Sequence, residues 1–191
     1  MKTLERGFKA WAEKTSLSLR KELEIAVDQP LPLERLADYF DVRLWTPKDV
    51  PGITEEILDQ LLETAPSDWS GVGLQIEGQG IIIYNPKHSK GRQASDITHE
   101  MSHFILEHQP AKIILSSDEE LEQLWMRSFD QKQEDEANCL AWTMLVPRDG
   151  LVRSLYQKMT PAQIAEHYGV SNQLVTYRIN STGVKKQFNH L

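Results

Sequence analysis

His99-Glu100-Met101-Ser102-His103 reads H-E-x-x-H, and a short β-branched run, Gly80-Ile81-Ile82-Ile83-Tyr84-Asn85, stands before it. The run predicts a buried strand. Pro86 to Gly91 reads as loop, and Arg92 to His108 as a helix with Ile97, Phe104 and Ile105 on its apolar side. Positions four apart share one face of a helix, so His99 and His103 project together. Two imidazoles so placed can close on one zinc ion at about 2.0–2.1 Å. Glu100, beside the first histidine, can reach a water at the metal and act as general base. The competing reading is a surface helix with two incidental histidines. The strand, loop and helix around the motif argue against it.

Such a site needs a third ligand. A hydrolytic zinc centre has three protein ligands and an open position, whereas a structural one has four. With Cys139 as the sole cysteine, no cysteine-based site can form. Of the other histidines (His88, His108, His167, His190), His108 lies nine residues after His99. On a continuous helix that is half a turn out of phase, so it should point away. The next long helix, Gln131 to Val146, carries Glu134, Asp135 and Glu136. Its apolar face is Ala137, Ala141, Met144 and Leu145. Glu134 shares that face and is the expected third ligand, while Glu136 should point elsewhere. Asn138, four residues after Glu134, should hydrogen-bond a ligand from behind. An acidic run is more often a solvated helix face, and only the histidine motif lifts Glu134 out of that reading.

These residues resemble the ImmA/IrrE metallopeptidases. The resemblance rests on the strand, on Arg92-Gln93 to His108, and on Glu134-x-x-Ala137-Asn138-x-x-Ala141-x-x-x-Leu145-x-Pro147. Leu31 to Val42 (LPLERLADYFDV) is similar to the helix before that family's first strand, so the likeness runs from Leu31 to Gly183. Ser102 and Leu140 depart from it, standing where the family often has Gly and Phe; both are packing positions. The resemblance implies a zinc-dependent (Zn2+) endopeptidase, with catalytic Glu100 and metal ligands His99, His103 and Glu134. It also implies a helix-turn-helix transcriptional repressor as the protein substrate. The rival class is a DNA- or protein-binding regulator with a structural or vestigial metal site. An intact glutamate base favours the enzyme, because a structural site needs none.

Composition agrees with a folded cytoplasmic protein. The 191 residues are 40% hydrophobic and 26% charged, within the globular range. The chain shows no internal repeat, no apolar run approaches the ~20 residues of a membrane span, and the start, MKTLERGFKAWAEK, is too polar for a signal peptide. A single cysteine fits a reducing compartment, and Cys139 should pack as a small buried residue. Of the net charge of −7, residues 148–191, with six basic and two acidic side chains, carry +4, leaving −11 on the rest. An acidic body with a mildly basic end suits a basic protein partner at one end and an acidic one at the other, and four net charges are too few to argue for nucleic acid.

The expected fold is α+β: a small antiparallel or mixed sheet on a helical, zincin-like core, with a helix-turn-helix-like tail. Residues 1–147 would form the peptidase domain and 148–191 the helical appendage. Residues 3–28 read as mainly helical, and Pro32 starts a helix to Phe40. Val42 to Trp45 is a short strand, and Thr54 caps a helix to Leu62. Gly71–Ile76 and Gly80–Tyr84 make a hairpin. Gln109 to Ser117 reads as loop and Asp118 to Phe129 as helix. In the tail, Pro161 to Ile179 pairs two helices around Gly169, with Ser171 as cap and Asn172, Gln173, Thr176 and Arg178 on the exposed face. If it bound DNA, those four would approach base edges. Trp69, Trp125 and Trp142 read as packing residues, and His88 as a solvated loop histidine. Tyr84 and Arg92 should flank the cleft. Gly80–Tyr84 is the expected edge strand for an extended peptide.

Overall fold

The computed structural model describes residues 4–108 and 130–188. The loop and helix expected over 109–129, with Trp125, lie outside them, as does His190. The order is α1 (Phe8–Glu22), α2 (Leu33–Tyr39), β1 (Val42–Trp45), α3 (Glu55–Asp59, continued by a π-turn Gln60–Thr64), β2 (Gly71–Ile76) and β3 (Gln79–Tyr84). Then follow α4 (Lys90–Ile105), α5 (Gln131–Leu145), α6 (Arg148–Tyr156), α7 (Pro161–Tyr168) and α8 (Asn172–Ser181). This is the α+β architecture with a mixed three-stranded sheet. Among the described residues no helix is long and apolar enough to cross a membrane.

The hairpin turns at Glu77-Gly78, both with positive φ (50° and 89°), as a two-residue turn between right-twisted strands requires. β3 pairs antiparallel with β2 and parallel with β1, in the order β1-β3-β2. β3 is therefore the central strand, which overturns its expected place at the edge. Its consecutive residues Ile81 and Ile82 point to opposite faces of the sheet and both are buried, which is why the strand reads as an unbroken apolar run. The edge strand of the hairpin is β2.

Helix α4 lies on β2 and β3 and packs its other side on α5, which in turn packs on α1. Three strand glycines let the helix come close: a Cβ at Gly73 would stand 3.1 Å from Glu100 Oε2, and one at Gly80 3.3 Å from Phe104. One buried cluster runs through these layers, joining Leu19, Met101 and Leu140 to Leu151, Ile164, Val175 and Val184 of the C-terminal helices.

Two helices differ from expectation because of buried arginines. α1 stops at Glu22, with Glu24 left-handed, and the chain folds back around Arg20. The Arg20 guanidinium donates to the carbonyls of Ala26, Gln29 and Met144, so residues expected to be helical form a loop around a buried cation. In the tail, α7 ends at left-handed Gly169 and Ser171 caps α8 by accepting from Leu174 N–H. Asn172, Gln173 and Thr176 are exposed, but Arg178 is not. It turns inward, donating to Val146 O at 2.9 Å and pairing with Glu13 at 2.5 Å. A DNA-reading face would thus lose its only cation.

Candidate metal centre

Ser89 caps α4 by accepting from Arg92 N–H, so the helix begins two residues earlier than the sequence suggests. Within it, Ser102 is fully buried and its hydroxyl donates to Thr98 O at 2.8 Å. That satisfies the polar group at one of the two departures noted above; at the other, Leu140 is buried apolar packing. On α5, Asp130 caps the helix, and Ala137 and Ala141 are fully buried against its neighbours. Glu134, in phase with them, faces the histidines.

His99 Nε2 and His103 Nε2 are 3.1 Å apart. Glu134 Oε2 is 3.3 Å from the first and Oε1 is 3.7 Å from the second. Three ligands on a tetrahedron of ~2.0–2.1 Å radius stand roughly 3.3 Å from one another, so the observed spacings bracket what a zinc ion requires. Two imidazoles and a carboxylate are also a donor set that zinc accepts. All three side chains keep about a fifth of their surface exposed.

The proton positions favour the same use. Asn138 Nδ2 donates to Glu134 O at 2.8 Å, which leaves its Oδ1 to accept from His99 Nδ1–H at 3.2 Å. With its proton on Nδ1, a neutral His99 presents a lone pair on Nε2, toward Glu134.

Glu100, 5% exposed, lies against the sheet, where the Gly73 N–H donates to its Oε2 at 2.9 Å. A cleft of about 390 Å³ opens over these groups, with His99, Glu100, Glu134 and Asn138 at its base and Ser70, Gly71, Asp96 and Trp142 around it. Arg92 donates to Ser70 at the rim. Trp142 packs edge-on against Tyr177, and Trp69 donates its ring N–H to Leu61 O.

Two expectations are corrected here. His108 does not point away: its Nδ1 lies 3.0 Å from His103 Nδ1. The helix stops at Ile105 and Glu107 is left-handed, so the phase of a continuous helix no longer applies and the chain carries His108 back over its last turn. Glu136 stays outside the ligand cluster and meets His108 Nε2 at 3.3 Å. The His88 side chain is largely covered rather than solvated, with Nδ1 3.0 Å from Asp96. Its loop is knitted by Asn85, which donates to Pro66 O and Trp69 O, and by Gln93, which donates to Pro86 O and His88 O.

Burial pushes the Cys139 thiol up from its ordinary range, which disfavours the reactive thiolate. No such role attaches to it.

Comparison with known proteins agrees with the geometry. No curated protein matches the chain. The family profile of the IrrE N-terminal-like domain matches residues 56–180, a stretch that runs from α3 to α8 and includes both histidines, Glu100 and Glu134. On that match, over well more than half of its length, the chain belongs to the ImmA/IrrE family of metallopeptidases.

Proposed function

We propose that the protein is a zinc-dependent endopeptidase that cuts a specific regulatory protein, with a helix-turn-helix repressor as the substrate class. The observation that carries this reading is the convergence of His99, His103 and Glu134 within 4.8 Å at the base of an open cleft that Glu100 also lines. His99 and His103 would hold the ion through Nε2 and Glu134 through its carboxylate. When bound, zinc supplies a Lewis acid for the scissile carbonyl and for a water molecule. Glu100 takes the proton of the attacking water on a carboxylate oxygen and delivers it to the leaving amine. The Gly73 N–H holds Glu100 against the sheet, so the base does not swing away between the two transfers.

The peptide would lie along β2 rather than β3. β2 is the edge strand, and Gly71 lines the cleft beside Glu100. Backbone pairing to an edge confers little sequence choice, so selection of the target falls to surfaces outside the cleft.

Incubation of the zinc-loaded protein with small helix-turn-helix regulators, beside Glu100→Gln, tests the proposal. The wild type should cut one or a few bonds and leave casein nearly untouched. Glu100→Gln should keep its zinc and lose about 10²–10⁴-fold in rate, the usual contribution of a general base. Full activity in zinc-replete Glu100→Gln refutes the role of Glu100, and rapid digestion of casein refutes the selectivity.

A further inference from the structure

Behind His103 lies a second, largely buried pair, His108 and Glu136. His108 is 7% exposed and Glu136 14%, and neither belongs to the ligand cluster. Building on the metal-centre reading above, we propose that His108 and Glu136 are positioning residues that fix His103 with its Nε2 lone pair presented to the metal.

The direction of the chain of hydrogen bonds follows from what each group can do. An ionised carboxylate only accepts, so Glu136 Oε2 takes the proton of His108 Nε2–H at 3.3 Å. A neutral His108 then has a lone pair on Nδ1, which accepts from His103 Nδ1–H at 3.0 Å. A neutral His103 with its proton on Nδ1 has a bare Nε2, the atom 3.1 Å from His99 Nε2. The same tautomer is imposed on His99 by Asn138, so each ligating imidazole has its own anchor. On the His103 side the anchor ends in a carboxylate, and Lys132 lies 3.8 Å from it, itself bonded to Glu5. Partners of this kind set ring orientation and basicity, and their loss costs about 10–100-fold in metal affinity.

A purely structural role for His108, as a buried polar group that merely needs partners, predicts a different result. The test measures zinc affinity by chelator competition at one fixed pH, with thermal melting of each zinc-free protein alongside. The proteins are the wild type, His108→Leu, His108→Gln, Glu136→Ala and the double variant His108→Leu/Glu136→Ala. Leucine fills the space without a polar atom, whereas a glutamine amide can both accept from His103 and donate to Glu136. The expected result is a loss of about 10–100-fold in His108→Leu, a smaller loss in Glu136→Ala, and recovery of most of the affinity in His108→Gln. The double variant should bind no worse than His108→Leu, because Glu136 acts through His108. Wild-type affinity in His108→Leu, or losses that multiply in the double variant, overturns the relay. If His108→Leu does not fold, Glu136→Ala and His108→Gln decide it: unchanged affinity in the former or a full loss in the latter overturns it. A wild type that takes up no zinc would instead remove the metal-centre reading on which the relay rests.

Discussion

Glu13→Ala should be among the most damaging single changes outside the cleft. Glu13 Oε1 pairs with Arg178, whose side chain is 6% exposed, at 2.5 Å. Its Oε2 accepts from Arg148 N–H at 3.0 Å, at the first residue of α6, where no backbone carbonyl is available. The one carboxylate thus joins α1 to both α6 and α8. Removing one partner of a buried pair costs about 3–5 kcal/mol because the other charge is left unpaired. Glu13 keeps 23% exposure, so water can partly replace it, and the lower end, about 3 kcal/mol, applies. For a chain of this size each kcal/mol is worth roughly 2–4 °C, giving a fall in Tm of about 6–12 °C. The double variant Glu13→Leu/Arg178→Met removes both charges and should melt above Glu13→Ala but below the wild type, since it leaves no unpaired charge yet still strips the Arg148 N–H and Val146 O of their partners. Thermal unfolding followed by circular dichroism measures both. If Glu13→Ala melts within about 2 °C of the wild type, the argument that this pair holds the C-terminal helices in place is wrong.

Two further outcomes follow from packing and titration. Gly150→Ala should lower stability by about 2 kcal/mol even though alanine is the better helix former. A Cβ there would stand 2.2 Å from Tyr168 Oη and 2.4 Å from Val27 O; denaturant unfolding at unchanged stability would show that these two segments give way easily. Burial pushes the Tyr168 phenol from its ordinary value of 10 up to about 12. The folded pKa is the raised one, so this stability is complete below pH 10 and is lost as pH rises from 10 to about 12. The loss is up to about 3 kcal/mol at roughly 1.4 kcal/mol per unit. Tyr168→Phe should flatten that part of the stability curve, and an equally steep alkaline fall in the variant would assign it to other groups.

What the sequence could and could not convey follows from the range of the interactions. His99 and His103 are four residues apart on one helix, and Glu134 shares the phase of Ala137 and Ala141, so local periodicity alone brought each to the inward face of its own helix. The hairpin was equally readable, because its turn is two residues long. Which hairpin strand became the edge was not, because β1 joins from about 40 residues away and a parallel partner has no local signature. His108 was misplaced because Glu107 ends the helix in a left-handed conformation without being glycine, and composition does not announce that stop. Arg20 and Arg178 look like solvated helix charges. The carbonyls of Met144 and Val146 that turn them inward lie 124 and 32 residues away.

The central claim is that His99, His103 and Glu134 form a three-ligand zinc centre with a position left open to water and substrate. A crystal structure of the zinc-loaded protein, with anomalous data at the zinc edge, tests it most directly. The account predicts one zinc per chain, held by both Nε2 atoms and the Glu134 carboxylate, with a water as the remaining ligand and His108 bonded to His103 rather than to the metal. A fourth protein ligand such as His108 would make the site structural and contradict the account, as would zinc bound anywhere else.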